Sequence, residues 1–471
     1  MDDNFTKTMR HAFNLAKDYR DHSDGLPPKP TKSVSGLRAD LDIGLPEEGR
    51  DGVKILNDLN RAATGGLIGI TSPQFFGWVM GASHPVGMAA DWMAASWGQN
   101  AGIYETSPVA AVTEEVAAKW LLELMDLPRE SSVGFTTGAT MASFICLSAA
   151  RTEVLRKIGW NLEEEGLMGA PSVCVVMGKE AHATIHSGLR YLGFGEKQKI
   201  FVDVDDQGRM CADDLAAKLA NCEGPKIILA QAGHINSGAF DPMPEIVALA
   251  QKHDAWLHVD GAFGLWVRAV PSKEHLGIGL EGADSWSVDG HKWLQVPYDS
   301  GFAIVKNAEA HERAMNITAS YIAASPDAGR NPSSYGPELS RRARGFAVWA
   351  TIQALGRAGI EEMVDRHCAC AAHLANYLSD HEGINVLNEV VINQLAISFG
   401  DDQDQARKDQ LTLDVITEIQ RENTSYVGGA NWREQEILRV SVISRETDIP
   451  HIERLGDSII RAWEMVSARQ N

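Results

Sequence analysis

The chain has 471 residues, 44% of them hydrophobic and 23% charged, which is typical of a globular protein and not of a disordered one. Its 43 basic and 63 acidic residues leave a formal net charge of −20, which argues against a nucleic-acid or anionic-membrane surface. A chain of this length predicts a large domain accompanied by a smaller one.

Targeting signals and cysteine usage favour a cytoplasmic protein. The opening "MDDNFTKTMRHAFNLAKDYRDH" is charged throughout and lacks the apolar stretch of a signal peptide, and no apolar run approaches the length of a membrane helix. The six cysteines form no C-x-x-C pair, and several lie in apolar stretches. They are therefore interpreted as reduced core thiols, at Cys146, Cys174, Cys211, Cys222, Cys368 and Cys370.

Residues 1–87 predict an arm that has no core of its own. A helical stretch is followed by the extended "DGLPPKPTKS" and by a second helix around Gly52–Ala63. We expect this arm to pack on a larger body, such as a partner subunit.

Residues 88–340 predict a large α/β domain. Two helical stretches, "GMAADWMAASWGQNAG" and "SPVAAVTEEVAAKWLLELMDLP", come first. Apolar runs such as "SVCVVMG", "KIILAQAG" and "AWLHVDGAFG" then alternate with helical stretches, which predicts a mostly parallel sheet covered on both faces. Residues 341–471, with long helices and the strands "QLAISFG" and "ILRVSVIS", predict a smaller α+β domain.

Two charged residues follow apolar strands of the predicted sheet. Asp260 closes "WLHVD", and Lys292 follows the strand-like run "SWSVD". An isolated aspartate at a strand end more often caps the next turn. However, ligands of open α/β sheets bind at the carboxyl ends of strands, and a buried carboxylate needs a cationic partner. The pair therefore favours a functional cleft.

The segment Thr136-Thr137-Gly138-Ala139-Thr140 runs straight into a predicted helix. Backbone N–H groups at such a helix start can bind a phosphate. The signal is weak alone, because many helices begin with threonine and glycine. The segment is not a G-x-x-x-x-G-K-[ST] loop, so a nucleotide triphosphate is disfavoured.

His182, in "GKEAHATIHSG", also follows a strand, where a histidine is more often a polar turn residue than a catalyst. His186 lies four residues later, but no third ligand has suitable spacing, so we predict no metal site. Together, an amine, a strand-end carboxylate, a phosphate-binding helix start and a flat histidine suit pyridoxal 5'-phosphate.

With these residues in place, the sequence resembles the group II pyridoxal-phosphate-dependent amino-acid decarboxylases, the family of the aromatic amino-acid and glutamate decarboxylases. The matching stretches occur in the family's order from residue 72 to about 445: "SPQFFGW", "SPVAAVTEE", "TGATMAS", "EAHATI", "GAFDP", "HVDGAFG", "DGHKW" and "LRVSVIS". The resemblance implies the aspartate-aminotransferase fold (fold type I). It also implies a homodimer with sites at the subunit interface.

The resemblance implies a role for each matching residue. Lys292 would hold the cofactor as a Schiff base, and Asp260 would keep the ring nitrogen protonated. The phosphate would be bound by Gly138, Ala139 and Thr140, with His291 near it. His182 would stack on the ring and handle protons, and Ala262 would pack against the other ring face.

Three departures from the family pattern stand out. The usual "G-T-T" is Gly233-His234-Ile235-Asn236, so His234 or Asn236 would take over contacts to the cofactor or to the substrate carboxylate. The usual Asn-Pro before His-Lys is Asp289-Gly290, and an aspartate beside a phosphate is unfavourable unless it faces elsewhere. The family's loop tyrosine, which protonates the carbanion, corresponds to Tyr335 or to Tyr321, or to neither if the matched tyrosine has no catalytic part.

The predicted substrate is an L-amino acid with an aromatic or apolar side chain. "FFGWVMGASHP" matches the family's substrate wall and lacks a basic pair to seat glutamate. The substrate-binding candidates are Trp78, Val79, Met80, His84 and Arg439, although Trp78 could equally be a core aromatic and Arg439 a structural brace.

The predicted function is decarboxylation of that amino acid to an amine and carbon dioxide. Two alternatives use the same cofactor, a carbon–carbon lyase and an aldehyde-forming decarboxylase or deaminase. The lyase stays open because related lyases that act on phosphorylated sphingoid bases have a D-x-H-K motif similar to that of this chain. A non-catalytic scaffold of the same fold is the remote alternative.

Overall fold

The computed structural model describes residues 3–316, 329–401 and 404–469. The α-helices are α1 (Asp3–Asp21), α2 (Val34–Leu41), α3 (Gly52–Ala63), α4 (Pro85–Trp97), α5 (Pro108–Leu124), α6 (Ala139–Lys157), α7 (Leu162–Glu165), α8 (Ala183–Tyr191), α9 (Ala212–Ala220), α10 (Met243–Lys252), α11 (Ala308–Met315), α12 (Gly345–Leu378), α13 (Gln405–Glu422) and α14 (Ile449–Ala468). The strands are β1 (Ser132–Thr136), β2 (Cys174–Gly178), β3 (Lys199–Val202), β4 (Lys226–Gln231), β5 (Ala255–Asp260), β6 (Ser285–Asp289), β7 (Gly301–Val305), β8 (Ile384–Val386), β9 (Gln394–Phe399), β10 (Gly428–Trp432) and β11 (Gln435–Ser441).

The larger sheet has the order β1-β7-β6-β5-β4-β2-β3. Strand β7 runs in the opposite direction to the other six strands of this sheet, and those six are parallel to one another. The predicted mostly parallel sheet is confirmed. The residues of β5, β6 and β7 are buried throughout, as expected for a sheet that is covered on both faces.

Helix α6 supplies much of the apolar cover of this sheet. Ile145, Cys146 and Leu147 are fully buried in one cluster with strand residues such as Val175 and Ile227. Burial of apolar surface at about 25 cal/mol per Å² fixes the helix on the sheet. The start of α6 is thereby held beside the ends of the central strands, which is where a site is expected.

The chain forms two compact units. The first comprises Met1–Met80, His373–Leu387 and Ala396–Asn471, and the second comprises Gly81–Ala372 and Asn388–Leu395. The smaller sheet, of order β10-β11-β9-β8, has antiparallel pairs β10–β11 and β8–β9. The predicted domains, residues 1–87, 88–340 and 341–471, and the packing of the arm on a partner subunit stay predictions.

Within the first unit, the segment before residue 80 lies against the turn before β10 and the end of β11. The amide of Phe76 donates to the carbonyl of Tyr426 at 2.9 Å, and the Phe76 carbonyl accepts from the amide of Ser441 at 3.0 Å. The rings of Phe75 and Tyr426 stack with centroids 4.9 Å apart. This packing fixes the backbone that carries Trp78 and Val79.

Candidate active site

A cavity of about 230 Å³ lies at the carboxyl ends of β5 and β6 in the second unit. It is somewhat smaller than pockets for drug-sized ligands, which span roughly 300–1,000 Å³. Eight of the ten predicted cofactor-binding residues line it: Gly138, Ala139, Thr140, His182, Asp260, Ala262, His291 and Lys292. The other residues of the wall are Thr137, Thr184, Gln231, Gly233, Ile235, Phe263 and Asp289.

Lys292 lies on the turn that follows β6, with its amine directed at a carboxylate. The Nζ atom is 3.0 Å from Oδ2 of Asp289, and it lies 5.6 Å from the ring centroid of Phe263. The side chain is only 17% exposed. The carboxylate and the aromatic face both stabilise a cation, so the lysine is held inside the cavity.

Gly81 and Gln295 contact the turn that carries Lys292 and stabilise it. The side-chain Nε2 atom of Gln295 donates to the carbonyl of Lys292 at 3.1 Å, and its Oε1 atom accepts from the backbone amide of Ala82 at 2.8 Å. A Cβ on Gly81 would lie 2.2 Å from the carbonyl oxygen of Lys292, so only glycine allows this approach. Gln295 itself is buried with a φ of 61°, which is unusual for a residue other than glycine.

Asp260 is a buried carboxylate in the cavity wall, at the end of β5. Its Oδ1 accepts from the amide of Ala262 at 3.2 Å, and no salt bridge joins it to a residue in the described part of the chain. Burial raises the pKa of Asp260, and the charges of His182 and Lys292 offset part of this effect. A cationic ring nitrogen would satisfy such a carboxylate.

The start of α6 forms another part of the wall. Gly138 precedes the helix, and a Cβ there would lie 3.0 Å from Cε1 of His291 and 3.1 Å from Oδ1 of Asp289. The amide of Ala139 donates to that Oδ1 atom at 2.6 Å. An acidic group therefore binds at this helix start, as the partial positive charge of the terminus favours.

His182 caps α8, and its Nδ1 atom lies 2.7 Å from the hydroxyl of Thr184. This contact fixes the ring while the residue lines the cavity. His291 is mostly buried, and its ring stacks on Tyr298 with centroids 4.2 Å apart. Burial lowers the pKa of His291, and the Asp289 carboxylate opposes that shift.

The segment Gly233–Asn236 presents different residues to the cavity than predicted. Gly233 and Ile235 line it, whereas the predicted His234 and Asn236 are buried outside its wall. The Nε2 atom of His234 lies 3.2 Å from Oε2 of Glu180, and its Nδ1 accepts from the amide of Ser237. The predicted cofactor contacts of His234 and Asn236 thus have no counterpart in the cavity wall and stay predictions.

Tyr335 does not line the cavity in this chain. Its hydroxyl donates to Glu312 of α11, and the guanidinium of Arg330 lies 3.7 Å from its ring centroid. Burial and the Glu312 contact raise the pKa of Tyr335. The second candidate, Tyr321, lies outside the described residues. A catalytic part for Tyr335 stays a prediction that the geometry of a single chain does not support.

The predicted substrate residues are divided between the two units. Trp78, Val79, Met80 and Arg439 belong to the first unit, where Trp78 stacks on Tyr426 at 5.5 Å and burial lowers the pKa of Arg439. His84 belongs to the second unit and caps α4 by accepting from the amide of Val86 at 3.2 Å. Their contacts with a substrate stay predictions.

The described part of the chain contains no cluster of histidine, cysteine and acidic residues that could hold a metal ion. Within the same residues, no helix is long and apolar enough to cross a membrane.

Comparison with known proteins identifies the family of the chain. The model of the pyridoxal-dependent decarboxylase conserved domain matches residues 35–399. The chain therefore belongs to the pyridoxal-dependent decarboxylase family. It is accordingly an enzyme, and pyridoxal 5'-phosphate is its cofactor.

Individual relatives match most of the chain and differ in the substrate that their names give. The aromatic-L-amino-acid decarboxylase of Bacillus atrophaeus is 24% identical over 93% of this chain and 90% of its own length. The acidic amino acid decarboxylase GADL1 of Homo sapiens is 27% identical over 77% of this chain and 69% of its own length. The chain is thus a pyridoxal-phosphate-dependent amino-acid decarboxylase whose substrate class these names do not resolve.

Among solved structures, Oryza sativa TDC with PLP and tryptamine has a TM-score of 0.92 and 19% identity, covering 99% of both chains. The predicted fold type I architecture is confirmed.

Proposed function

We propose that the eight predicted residues on one cavity wall bind pyridoxal phosphate, with Lys292 as the attachment point. The observation that carries this assignment is their convergence: an amine, a buried carboxylate and a helix start border the same cavity of about 230 Å³. The start of α6 would receive the phosphate, with His291 beside it. Asp260 would pair with the ring nitrogen, and His182 and Ala262 would contact the ring.

Each residue has a physical reason for its part. When bound, pyridoxal phosphate supplies a ring that accepts the electron pair left behind as the carboxyl group departs. Asp260, as a carboxylate, keeps a proton on the ring nitrogen, which strengthens that electron withdrawal. Lys292 provides the amine that binds the cofactor's aldehyde. His182, fixed by Thr184, holds the ring in one orientation, since the orientation of the substrate decides which bond breaks.

For the substrate we favour an aromatic or apolar amino acid. The cavity wall carries the apolar side chains of Ile235 and Phe263. Its basic residues are Lys292, His182 and His291, and no arginine is among the described residues that line it. A side-chain carboxylate would therefore lack the bidentate partner that arginine offers.

We also propose a homodimer in the cytoplasm. Helices α1 and α3 expose a row of large apolar residues, Phe5, Met9, Phe13, Ile55 and Leu59, and such a surface favours association with a partner. In the second unit, Trp97, Val109 and Trp349 are also exposed.

One experiment tests the reaction and the substrate together. Purified protein loaded with pyridoxal phosphate is offered a panel of amino acids, and carbon dioxide and the organic product are both quantified. We expect carbon dioxide and the amine in equal amounts, with an aromatic or apolar amino acid as the best substrate. A glutamate or aspartate preference would contradict the substrate assignment.

An aldehyde-forming reaction remains the second candidate, because no tyrosine is among the described residues that line the cavity. The same measurement distinguishes it. Release of ammonia and peroxide in stoichiometric amounts, without an amine, would show that the enzyme catalyses the aldehyde-forming reaction and not simple decarboxylation. A carbon–carbon lyase would release no carbon dioxide.

A further inference from the structure

Asp289 ends β6, and its carboxylate lies against the start of α6. The backbone around it is fixed: its amide donates to the carbonyl of Ala262 at 2.9 Å, and its carbonyl accepts from Nε1 of Trp266 at 3.2 Å. The Oδ1 atom accepts the amide of Ala139 at 2.6 Å. The side chain is 5% exposed, so the carboxylate is an enclosed part of the cavity wall.

The same carboxylate pairs with two basic side chains. Its Oδ2 atom lies 3.0 Å from Nζ of Lys292, and its Oδ1 atom lies 3.3 Å from Nε2 of His291. The proposed function assigns Lys292, His291 and the Ala139 amide to the cofactor. Asp289 therefore binds three groups that the cofactor also needs.

A phosphate at this helix start would meet a negative charge already in place. A Cβ on Gly138 would lie 3.1 Å from Oδ1 of Asp289, so little room separates the carboxylate from the helix start. One N–H group cannot serve two acceptors at full strength. Like charges in a buried site also repel each other with little screening by salt.

We propose that Asp289 is an internal anion that occupies the phosphate position in the cofactor-free protein and thereby weakens cofactor binding. It holds Lys292 and the start of α6 in place when no cofactor is bound, and it must give up the Ala139 amide when the phosphate arrives. The cofactor is accordingly exchangeable. This inference rests on the proposed cofactor site and assigns a role to a residue of that site.

The test compares the cofactor affinity of wild type and Asp289→Asn, using the full-length protein freed of cofactor. Asparagine keeps an oxygen for the Ala139 amide and removes the charge. The dissociation constant of pyridoxal phosphate is measured by visible absorbance, and that of inorganic phosphate by its effect on the melting temperature. We expect Asp289→Asn to bind pyridoxal phosphate at least about tenfold more tightly and to gain more stability from inorganic phosphate.

Asp284→Asn is the matched control. Asp284 immediately precedes β6, at the opposite end of that strand, and accepts the amide of Leu257 at 2.8 Å. Replacement of Asp284 removes one negative charge without changing the cavity wall. The variant should therefore bind pyridoxal phosphate with the affinity of wild type. Asp289→Ser, which is small and neutral, gives the same comparison if Asp289→Asn does not fold.

The outcomes separate this inference from the proposed function. Equal or weaker binding of pyridoxal phosphate by Asp289→Asn, or by Asp289→Ser if Asp289→Asn does not fold, with a visible band that still depends on Lys292, would overturn the inference alone. A wild-type protein without any Lys292-dependent band would overturn both.

Discussion

The amine of Lys292 and the carboxylate of Asp289 lie 3.0 Å apart, three residues from each other in the chain. The other oxygen of the same carboxylate accepts the backbone amide of Ala139 at the start of α6. One buried anion therefore links the lysine to the helix start. This link arranges the two ends of the site before any cofactor is present.

The approach of Gly81 to the Lys292 turn should be essential for cofactor binding. A Cβ at residue 81 would lie 2.2 Å from the carbonyl of Lys292 and 2.6 Å from that of His291, and backbone atoms cannot rotate away. We expect Gly81→Ala to weaken pyridoxal phosphate binding at least about tenfold, as measured by absorbance titration. Gly428→Ala is the control, since nothing lies within 4 Å of the added Cβ. Wild-type affinity in Gly81→Ala would show that the turn adapts.

Asp260 should matter more for the reaction than for cofactor affinity. Asp260→Asn keeps the side chain's shape and removes the charge that, in the proposed site, would hold a proton on the ring nitrogen. We expect the rate of carbon dioxide release to fall by about 100-fold or more, while the dissociation constant of pyridoxal phosphate changes much less. Asp284→Asn, outside the cavity, should retain wild-type activity. A rate within about threefold of wild type in Asp260→Asn would contradict the assignment.

Tyr335 should contribute to stability and not to the choice of product. Its hydroxyl donates to Glu312 away from the cavity, so Tyr335→Phe removes one partly buried hydrogen bond. We expect the free energy of unfolding to fall by about 1 kcal/mol. The ratio of amine to aldehyde in the product should stay at its wild-type value. A shift of the product to aldehyde in Tyr335→Phe would instead identify Tyr335 as the proton donor.

Stability should decline in acid through buried histidines. Burial lowers the pKa of His311 and of His258 to about 3 in the folded chain. In the unfolded chain histidine has a pKa of about 6.5, so below that pH the unfolded state binds more protons and stability falls as pH falls. Between about pH 6.5 and 3 each histidine adds a slope of up to about 1.4 kcal/mol per pH unit.

The slope can be measured by urea unfolding of the cofactor-free protein at about pH 7, 6 and 5. His311→Asn removes one titrating group while offering a hydrogen-bond partner to the hydroxyl of Ser132, which lies 2.8 Å from Nδ1 of His311. We expect the pH dependence of the variant to be shallower than that of wild type. Identical slopes for the two proteins would contradict the prediction.

Much of the site could be predicted because its chemistry follows local patterns. A charged residue at the end of an apolar strand, as Asp260 is, and a Thr-Gly-Ala-Thr helix start can be recognised in the sequence itself. Parallel strands bring their carboxyl ends to one edge, so the cavity at Asp260, Lys292 and Gly138 follows from the fold class. The unfavourable position of Asp289 was also visible in the sequence, but the direction of its side chain was not.

Other parts of the site depend on which way a backbone turns. In Gly233–Asn236, Ile235 lines the cavity while the adjacent His234 pairs with Glu180. The sequence favours His234 for the cavity because its side chain is polar and can titrate. Gln231 lines the cavity although neither a charge nor a matching stretch marks it in the sequence, and Phe263 lies in the matching stretch "HVDGAFG" but has no charge that would single it out. Gln295 and Gly81 act through backbone contacts, and the only sequence signal for Gln295 is its nearness to Lys292. The position of Tyr335 depends on its packing with Glu312 and Arg330, neither of which lines the cavity.

The central claim is that Lys292 binds the cofactor, and borohydride reduction of the loaded protein tests it most directly. Wild type should show a visible absorbance band that borohydride abolishes, and mass spectrometry should then locate one cofactor adduct on Lys292. Lys292→Ala should show neither the band nor an adduct. If Lys292→Ala keeps a borohydride-reducible visible chromophore like that of wild type, the assignment of Lys292 is wrong.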